Sequence, residues 1–253
     1  NSPKKRYVVR IPLKSYNDTE VDGSLSEKDD VTPSPSHVML KPGKATAFVG
    51  GFDATAMKSF DIRLAQITSS EDLHWILEEA NGSETGNYKL VVNTTGSRVK
   101  LDDKAYDLLN GKPNIHLYLN GKIKITAGSS DAINKLYFDD DCVKTDLTIV
   151  NEQKATKEIK NCGTITVEKG GAIKGYQNIT ADMVKNAGEI QANKLKALVD
   201  NAGVINANAI TGNVSNSGTV TVTGDINGNV NNSGKLSAKN INGYADNTGA
   251  KLT

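Results

Sequence analysis

The last third of the chain repeats a short pattern of polar and hydrophobic positions. A phrase of the form Asn-[Ala/Ser/Thr]-Gly recurs at intervals of 15, 15, 16 and 15 residues, starting at Asn186, Asn201, Asn216, Asn232 and Asn247. Counted from each Asn as zero, apolar residues fall at position four, at position six, near nine or ten, and near thirteen or fourteen. Position four is filled by Ile190, Ile205, Val220 and Leu236. A fixed period with fixed apolar slots is typical of a stacked repeat.

The spacing inside each repeat indicates strands and not helices. One polar residue separates positions four and six, as in a half-buried strand. Glycine at position two permits a left-handed corner, and the Asn before it tolerates such corners as well. At about 3.3 Å per residue, a 15-residue coil traces roughly 50 Å, enough for two facing strands of about four or five residues each. The sequence therefore predicts a single-stranded parallel β-helix, or β-solenoid, whose coils lie about 4.8 Å apart.

The regular coils are predicted over residues 161–253, with irregular and longer coils of the same solenoid over 84–160. An earlier phrase, Asn161-Cys162-Gly163, lies 25 residues before Asn186. We interpret this step as one coil with about ten inserted residues, near 170–182. A separate small α+β domain reaching to about residue 130 is the alternative for the first half.

Two short helices are predicted ahead of the regular coils. Ser69 followed by Asp72 resembles a helix N-terminal capping arrangement, and an apolar face follows over 73–80. Such a helix can cover the open end of a solenoid, where backbone groups would otherwise pair with other chains. A second helix is expected over 103–110.

The remaining segments complete the predicted domain organisation. Residues 1–37 are expected to form an extended polar lead with one edge strand near Tyr7–Leu13. Residues 38–83 are expected to hold the N-terminal strands and the capping helix, and residues 84–253 the solenoid. The all-β class is favoured by low aromatic content and by abundant Gly, Asn, Thr and Ser.

Composition adds few constraints on partners. A formal net charge of +1 gives no signal for nucleic acid, and no apolar run reaches the 18 or so residues of a membrane span. The chain opens with Asn1 and not Met, so we expect either a processed form or an expressed chain that lacks its signal segment. Cys142 and Cys162 are expected to be buried thiols on neighbouring coils, with a disulfide as the alternative. The Asn column at position zero is expected to form hydrogen bonds from coil to coil.

No enzyme, metal or cofactor motif is found in the sequence. The three histidines lack metal-like spacing, and no phosphate loop or nucleophile elbow is present. The one carboxylate cluster, Asp139-Asp140-Asp141, is read first as a solvated corner and second as a Ca²⁺ or acid–base site. With Asp146 and Tyr176 it forms the predicted set of binding residues, and no catalytic residue is assigned.

The Asn-[Ala/Ser/Thr]-Gly-x-[Ile/Val/Leu]-x-[Ala/Val] coils resemble the β-solenoid regions of bacterial surface proteins. They are similar to adhesin-like heads on secreted or lipid-anchored proteins of gut Bacteroidetes. The resemblance covers 161–253 well and 84–160 loosely. It implies an extracellular or outer-surface location, with a non-catalytic adhesive or scaffolding role that binds a host or environmental glycan or protein. Its motif is architectural, so it assigns no functional residue.

Two other functional predictions stand beside this one. The fold class also includes polysaccharide lyases and hydrolases, and a carbohydrate-active site is the alternative on the irregular coils 84–182. There Asp139–Asp141, Lys144, Asp146 and Tyr176 would converge. The sequence also predicts a homodimer, because the final coil lacks a capping helix and leaves an edge for end-to-end pairing.

Overall fold

The computed structural model describes residues 9–11, 60–79, 87–94, 99–138, 144–248 and 251–252. They form a parallel β-solenoid of about eight turns, as the repeat predicts. The first half contains β1 Val9–Ile11, β2 Phe60–Ile67, α1 Ser70–Glu79, β3 Asn87–Thr94, β4 Lys100–Leu101, α2 Asp103–Asn110, β5 Ile115–Ile125, a 3₁₀ turn Ala132–Lys135, β6 Leu136–Tyr137, β7 Thr145–Ile149, β8 Glu152–Lys154 and β9 Ile159–Val167. The second half contains β10 Ala172–Asn186, β11 Glu189–Asn201, β12 Val204–Thr211, β13 Val214–Asn216, β14 Thr219–Val222, β15 Asp225–Asn227, β16 Val230–Asn232, β17 Lys235–Ser237, β18 Asn240–Ile241, β19 Ala245–Asp246 and β20 Lys251–Leu252.

The predicted apolar slots form continuous interior rows. At position four, each residue is the in-register partner of its counterpart on the next coil: Ile190, Ile205, Val220 and Leu236. All four side chains are fully buried. The slot at nine or ten forms a second row, which runs through Leu195, Ile210, Ile226 and Ile241. The 15-residue period therefore predicts both the register between coils and the residues that form the core.

Three parallel ladders join the regular coils, and the predicted two facing strands are wrong. In the coil that follows Asn216 the strands are β14, β15 and β16, and each pairs in parallel with its own partner on the next coil, β17, β18 and β19. Three faces therefore surround the core. The apolar slots fit either arrangement, because spacing along the chain does not specify the angle at each corner.

The phrase at Asn161 does not occupy the corner that the later phrases share. Val167, and not Asn161, is the in-register partner of Asn186, while Cys162 pairs with Ala181. The step between equivalent corners is thus 19 residues (167 to 186), and the predicted ten-residue insertion in a 25-residue coil is wrong. The three-letter phrase also occurs on another face, where Asn161 has a positive φ of 51°.

The Asn column forms the predicted hydrogen-bonded ladder. Asn186, Asn201 and Asn216 are buried, and the Nδ2 of each donates to the Oδ1 of the next Asn at 2.7 Å. The glycine after them has a different role from the one predicted. Gly203 does not have a positive φ; instead a Cβ there would lie 2.2 Å from the carbonyl oxygen of Gly188 on the preceding coil. The phrase requires Gly because the coils approach closely.

The N-terminal end of the core is covered by helix α1, as predicted. Leu73, Ile76 and Leu77 are buried in the core, and the capping arrangement is present, with the amide of Asp72 donating to Ser69 Oγ at 3.2 Å. The edge of β2 is paired with β1, which runs antiparallel to it. Helix α2 has the predicted bounds and packs against α1.

Polar contacts join α1 to α2 and to the residues that follow it, among them an ion pair between Glu78 and Lys104 at 2.8 Å. His74 of α1 lies 2.7 Å from Asp102, whose carboxylate also caps α2 by accepting the amide of Ala105 at 2.9 Å. Lys112 is buried after α2, and its ammonium donates to the carbonyl of Leu77 in α1. Burial lowers the pKa of Lys112. A carbonyl near the end of α1 is thus satisfied by a side chain of the next coil.

The ladder continues across the first half of the chain. Strand β5 pairs with β3 and with β7, so strands before and after residue 130 belong to one stack. The predicted domain boundaries, at residues 37 and 83, lie outside the described residues and stay predictions.

Candidate functional site

Of the predicted binding residues, the structure describes Asp146 and Tyr176. Asp139, Asp140 and Asp141 lie outside the described residues. Asp146 is half-buried on β7, and its Oδ1 accepts the amide of Thr164 at 2.7 Å. This carboxylate therefore joins two neighbouring coils.

Tyr176 is an exposed side chain, and Lys144 forms an ion pair with Asp182. Tyr176 is 50% exposed at an irregular step of β10, with a positive φ of 52°. Lys144 donates to both carboxylate oxygens of Asp182, at 2.5 and 2.6 Å. Among the described residues, no hydrogen bond or ion pair joins either Asp146 or Tyr176 to this pair. The convergence required by the carbohydrate-active alternative stays a prediction.

One groove, which we call the corner groove, runs along the corner between two faces from β7 to the end of β12. Its volume is about 730 Å³. Small side chains at the corner, including Cys162, Ala181 and Ala197, leave it open. Its charged residues are Lys144, Lys160, Lys196, Glu158 and Asp182, so three positive charges oppose two negative ones.

A second groove, the face groove, lies on the adjacent face and has a volume of about 510 Å³. The strands that line it stack in register from β11 through β13 and β16 to β19. Buried valines form its floor: Val199, Val214 and Val230. Its polar column is Asp200, Ser215, Asn231 and Asp246.

Two exposed apolar side chains mark the face groove. Leu198 is 49% exposed and lines both grooves, while Tyr244 is 72% exposed at the far end. Neither belongs to the predicted binding set; the sequence alone offers only Tyr176 and Tyr244 as aromatic residues over 161–253, which we interpret as too few for a sugar-stacking platform. Both precede a residue of the fourth apolar slot, the buried Val199 or Ala245 on the last coil, so strand alternation places them outside. An apolar residue in an outward slot is a signal that the sequence does contain.

An aromatic and cationic stack on the outer face of β5 and β6 was also not predicted. The rings of His116 and Tyr137 stack at 4.3 Å and 9°, and the Lys157 ammonium lies 3.6 Å from the Tyr137 centroid. Burial lowers the pKa of His116, and Lys157 lowers it further. Burial, with a smaller contribution from Lys135, lowers the pKa of Lys157 to about 8.

Cys162 is a buried free thiol, which confirms the first of the two predictions for this residue. Burial, with a smaller contribution from the Asp146 carboxylate, raises its pKa to about 12. The thiolate is the reactive form of cysteine, so this side chain is inert at neutral pH. Cys142 lies outside the described residues.

Comparison of the chain with protein-family models, curated proteins and solved structures finds no match. Neither of the two helices in the described segments is long and apolar enough to cross a bilayer. Within the same segments, no three His, Cys, Asp or Glu side chains are grouped so that they could hold a metal ion.

We expect replacement of Lys157 by methionine to stabilise the protein at pH 7 by about 1–2 kcal/mol, after about 0.5–1 kcal/mol is lost with the cation–π contact. The folded state disfavours the charged ammonium, since its folded pKa of about 8 lies below the unfolded value. Wild-type stability should therefore rise with pH from about 8 to about 10.4, where the unfolded chain binds more protons. The gain from Lys157→Met should shrink over the same window.

Urea unfolding of both proteins at pH 7 and at pH 10 measures this difference. Lys154→Met, at an exposed lysine of β8, is the matched control and should change stability little at either pH. An equal effect of Lys157→Met at the two pH values would show that the ammonium is not desolvated.

Proposed function

We propose that this chain is a non-catalytic binding module of an adhesin-like or scaffolding protein, located outside the cell or on its outer surface. The observation that supports it best is the pair of long shallow grooves on a regular stack. Their polar columns and exposed apolar side chains offer contacts to an extended ligand. The groups expected to do chemistry are engaged in structural contacts instead, as Asp146 is with Thr164 and Lys144 with Asp182.

The resemblance of the repeated coils to bacterial surface heads supports the same proposal. A rigid stack with many uncharged polar side chains suits presentation of a binding face away from a membrane or cell wall. The proposed location is tested by protease treatment of intact cells that express the full-length protein. Cleavage only after lysis would contradict it.

The functional test uses the whole chain on an array of glycans and extracellular-matrix proteins. The same preparation is assayed for release of reducing ends and unsaturated sugars from each polysaccharide. We expect binding to at least one ligand class without product release. Product release that is lost in Asp182→Asn would instead support the carbohydrate-active alternative on coils 84–182.

The end-to-end homodimer also stays a prediction. Light scattering over a wide range of protein concentration tests it. A monomer at every concentration would contradict it.

A further inference from the structure

The corner groove and the face groove meet at Leu198, which lines both. Their walls cross the successive coils of β7, β9, β10, β11, β13, β16 and β19. Six coil steps of about 4.8 Å give a track roughly 29 Å long. A track of this length fits a linear polymer better than a small molecule.

The polar wall of the face groove offers hydrogen bonds at every coil. Asp200, Ser215 and Asn231 are exposed, and within the described structure their side chains make no hydrogen bond or ion pair. They succeed one another in register, at the coil spacing of about 4.8 Å. That repeat is comparable to the length of one sugar residue in an extended β-linked chain, so successive hydroxyl groups can meet successive side chains.

Apolar contacts are present at both ends of this column. Leu198 and Tyr244 are two of the four large apolar side chains that are exposed in the described part of the chain. A sugar ring has an apolar C–H face and a rim of hydroxyl groups. It can therefore pack its face on an exposed tyrosine, whose ring is apolar and whose hydroxyl remains in water.

The charges along the track favour an uncharged ligand. The face groove is lined by two carboxylates, Asp200 and Asp246, and by no cationic side chain. An anionic polymer would be repelled there. In the corner groove three lysines oppose two carboxylates, and Lys144 is paired with Asp182. Neither a polyanion nor a polycation therefore complements the whole track.

We propose that an uncharged, extended β-linked polysaccharide binds along the two grooves that meet at Leu198. Tyr244 stacks on one sugar ring, and Asp200, Ser215 and Asn231 bind its hydroxyl groups. This inference rests on the proposed binding function and names its ligand class and surface.

Calorimetric titration of the whole chain with cellohexaose, xylohexaose and soluble mixed-linkage β-glucan tests the proposal. Polygalacturonate, heparin and an extended neutral peptide serve as comparison ligands. We expect at least one uncharged glycan to bind, its hexasaccharide more tightly than its disaccharide, and the polyanions not to bind. No binding to any of the uncharged glycans, or tighter binding of a polyanion or of the peptide, would overturn the proposal.

Variants locate the site. Tyr244→Ala and Leu198→Asn are each expected to weaken binding about tenfold or more, as loss of an apolar anchor does. Tyr176→Ala removes a half-exposed tyrosine outside both grooves and should leave affinity unchanged. Because both groove residues are exposed, the variants should melt like the wild type. If Tyr244→Ala and Leu198→Asn both bind the glycan as tightly as the wild type, the site lies elsewhere. That result would overturn this inference and would leave the proposed binding function in place.

Discussion

Replacement of Gly212 by alanine is expected to destabilise the regular coils by about 4 kcal/mol or more. Gly212 has a φ of +133°, a conformation that side chains with a Cβ rarely adopt. A Cβ at this position would also lie 1.9 Å from the carbonyl oxygen of Ala197 on the preceding coil. Relief of that overlap requires two coils to separate, and separation weakens the ladder on every face.

Two other glycines act as matched controls for Gly212→Ala. Gly170 has a φ of +92° but open space around its Cα, so Gly170→Ala should cost only the backbone strain, about 1–2 kcal/mol. Gly111 ends α2 with a φ of −73° and only ordinary contacts, so Gly111→Ala should change little. Guanidinium unfolding of the three variants measures the order of effects. A loss at Gly212 no greater than the loss at Gly170 would show that the coil spacing is not the constraint.

The regular half of the fold could be predicted because its signal repeats. If one repeat were misaligned with the next, the apolar residues from Ile190 to Leu236 would no longer form one row. The observed rows agree with the 15-residue period. The angle at each corner has no comparable repeated signal in the sequence. Gly212 and Gly228 mark one of the corners between the three ladders, but the apolar spacing alone allowed two facing strands.

Irregular coils were harder because one phrase can occupy different faces. Asn161-Cys162-Gly163 matches the repeated phrase at its Asn and Gly, and Ile165 and Val167 follow at positions four and six. The neighbouring coil nevertheless pairs Ile165 with Val184, a residue of the fourth slot. Register is decided by the coil that the segment packs against, which a local pattern does not show.

The grooves were not predicted either, because the stacking of coils decides which residues are neighbours. Neighbouring wall residues are 15 to 19 positions apart in sequence, as Asp200 and Ser215 or Cys162 and Ala181 are, and they are adjacent only because the coils stack. Sequence reasoning instead selected residues that are close along the chain, such as Asp139–Asp141 and Asp146. Of the predicted set, Asp146 and Tyr176 lie in the described structure, and neither lines a groove.

Replacement of Asn201 by leucine is expected to destabilise the protein by about 3–5 kcal/mol. Asn201 is fully buried; its Nδ2 donates to Asn216 Oδ1 at 2.7 Å and to two backbone carbonyls, and its Oδ1 accepts from Asn186. Leucine has a similar volume, so the loss reports unsatisfied polar groups and not a cavity. Asn206→Leu, on the same coil but facing outward, should stay within about 0.5 kcal/mol of wild type.

A double-variant cycle separates the ladder from simple burial. Asn201 and Asn216 share one hydrogen bond, so each single leucine variant leaves the partner unsatisfied. The double variant removes both groups of that bond together, and its cost should fall below the sum of the single costs by about 1–2 kcal/mol. Asn201→Leu combined with Asn206→Leu should be additive within about 0.5 kcal/mol, since no hydrogen bond links these two side chains. A hydrogen-bonded ladder must couple neighbouring coils. If the losses of unfolding free energy for Asn201→Leu and Asn216→Leu were additive, each asparagine would contribute independently and the ladder would not couple them.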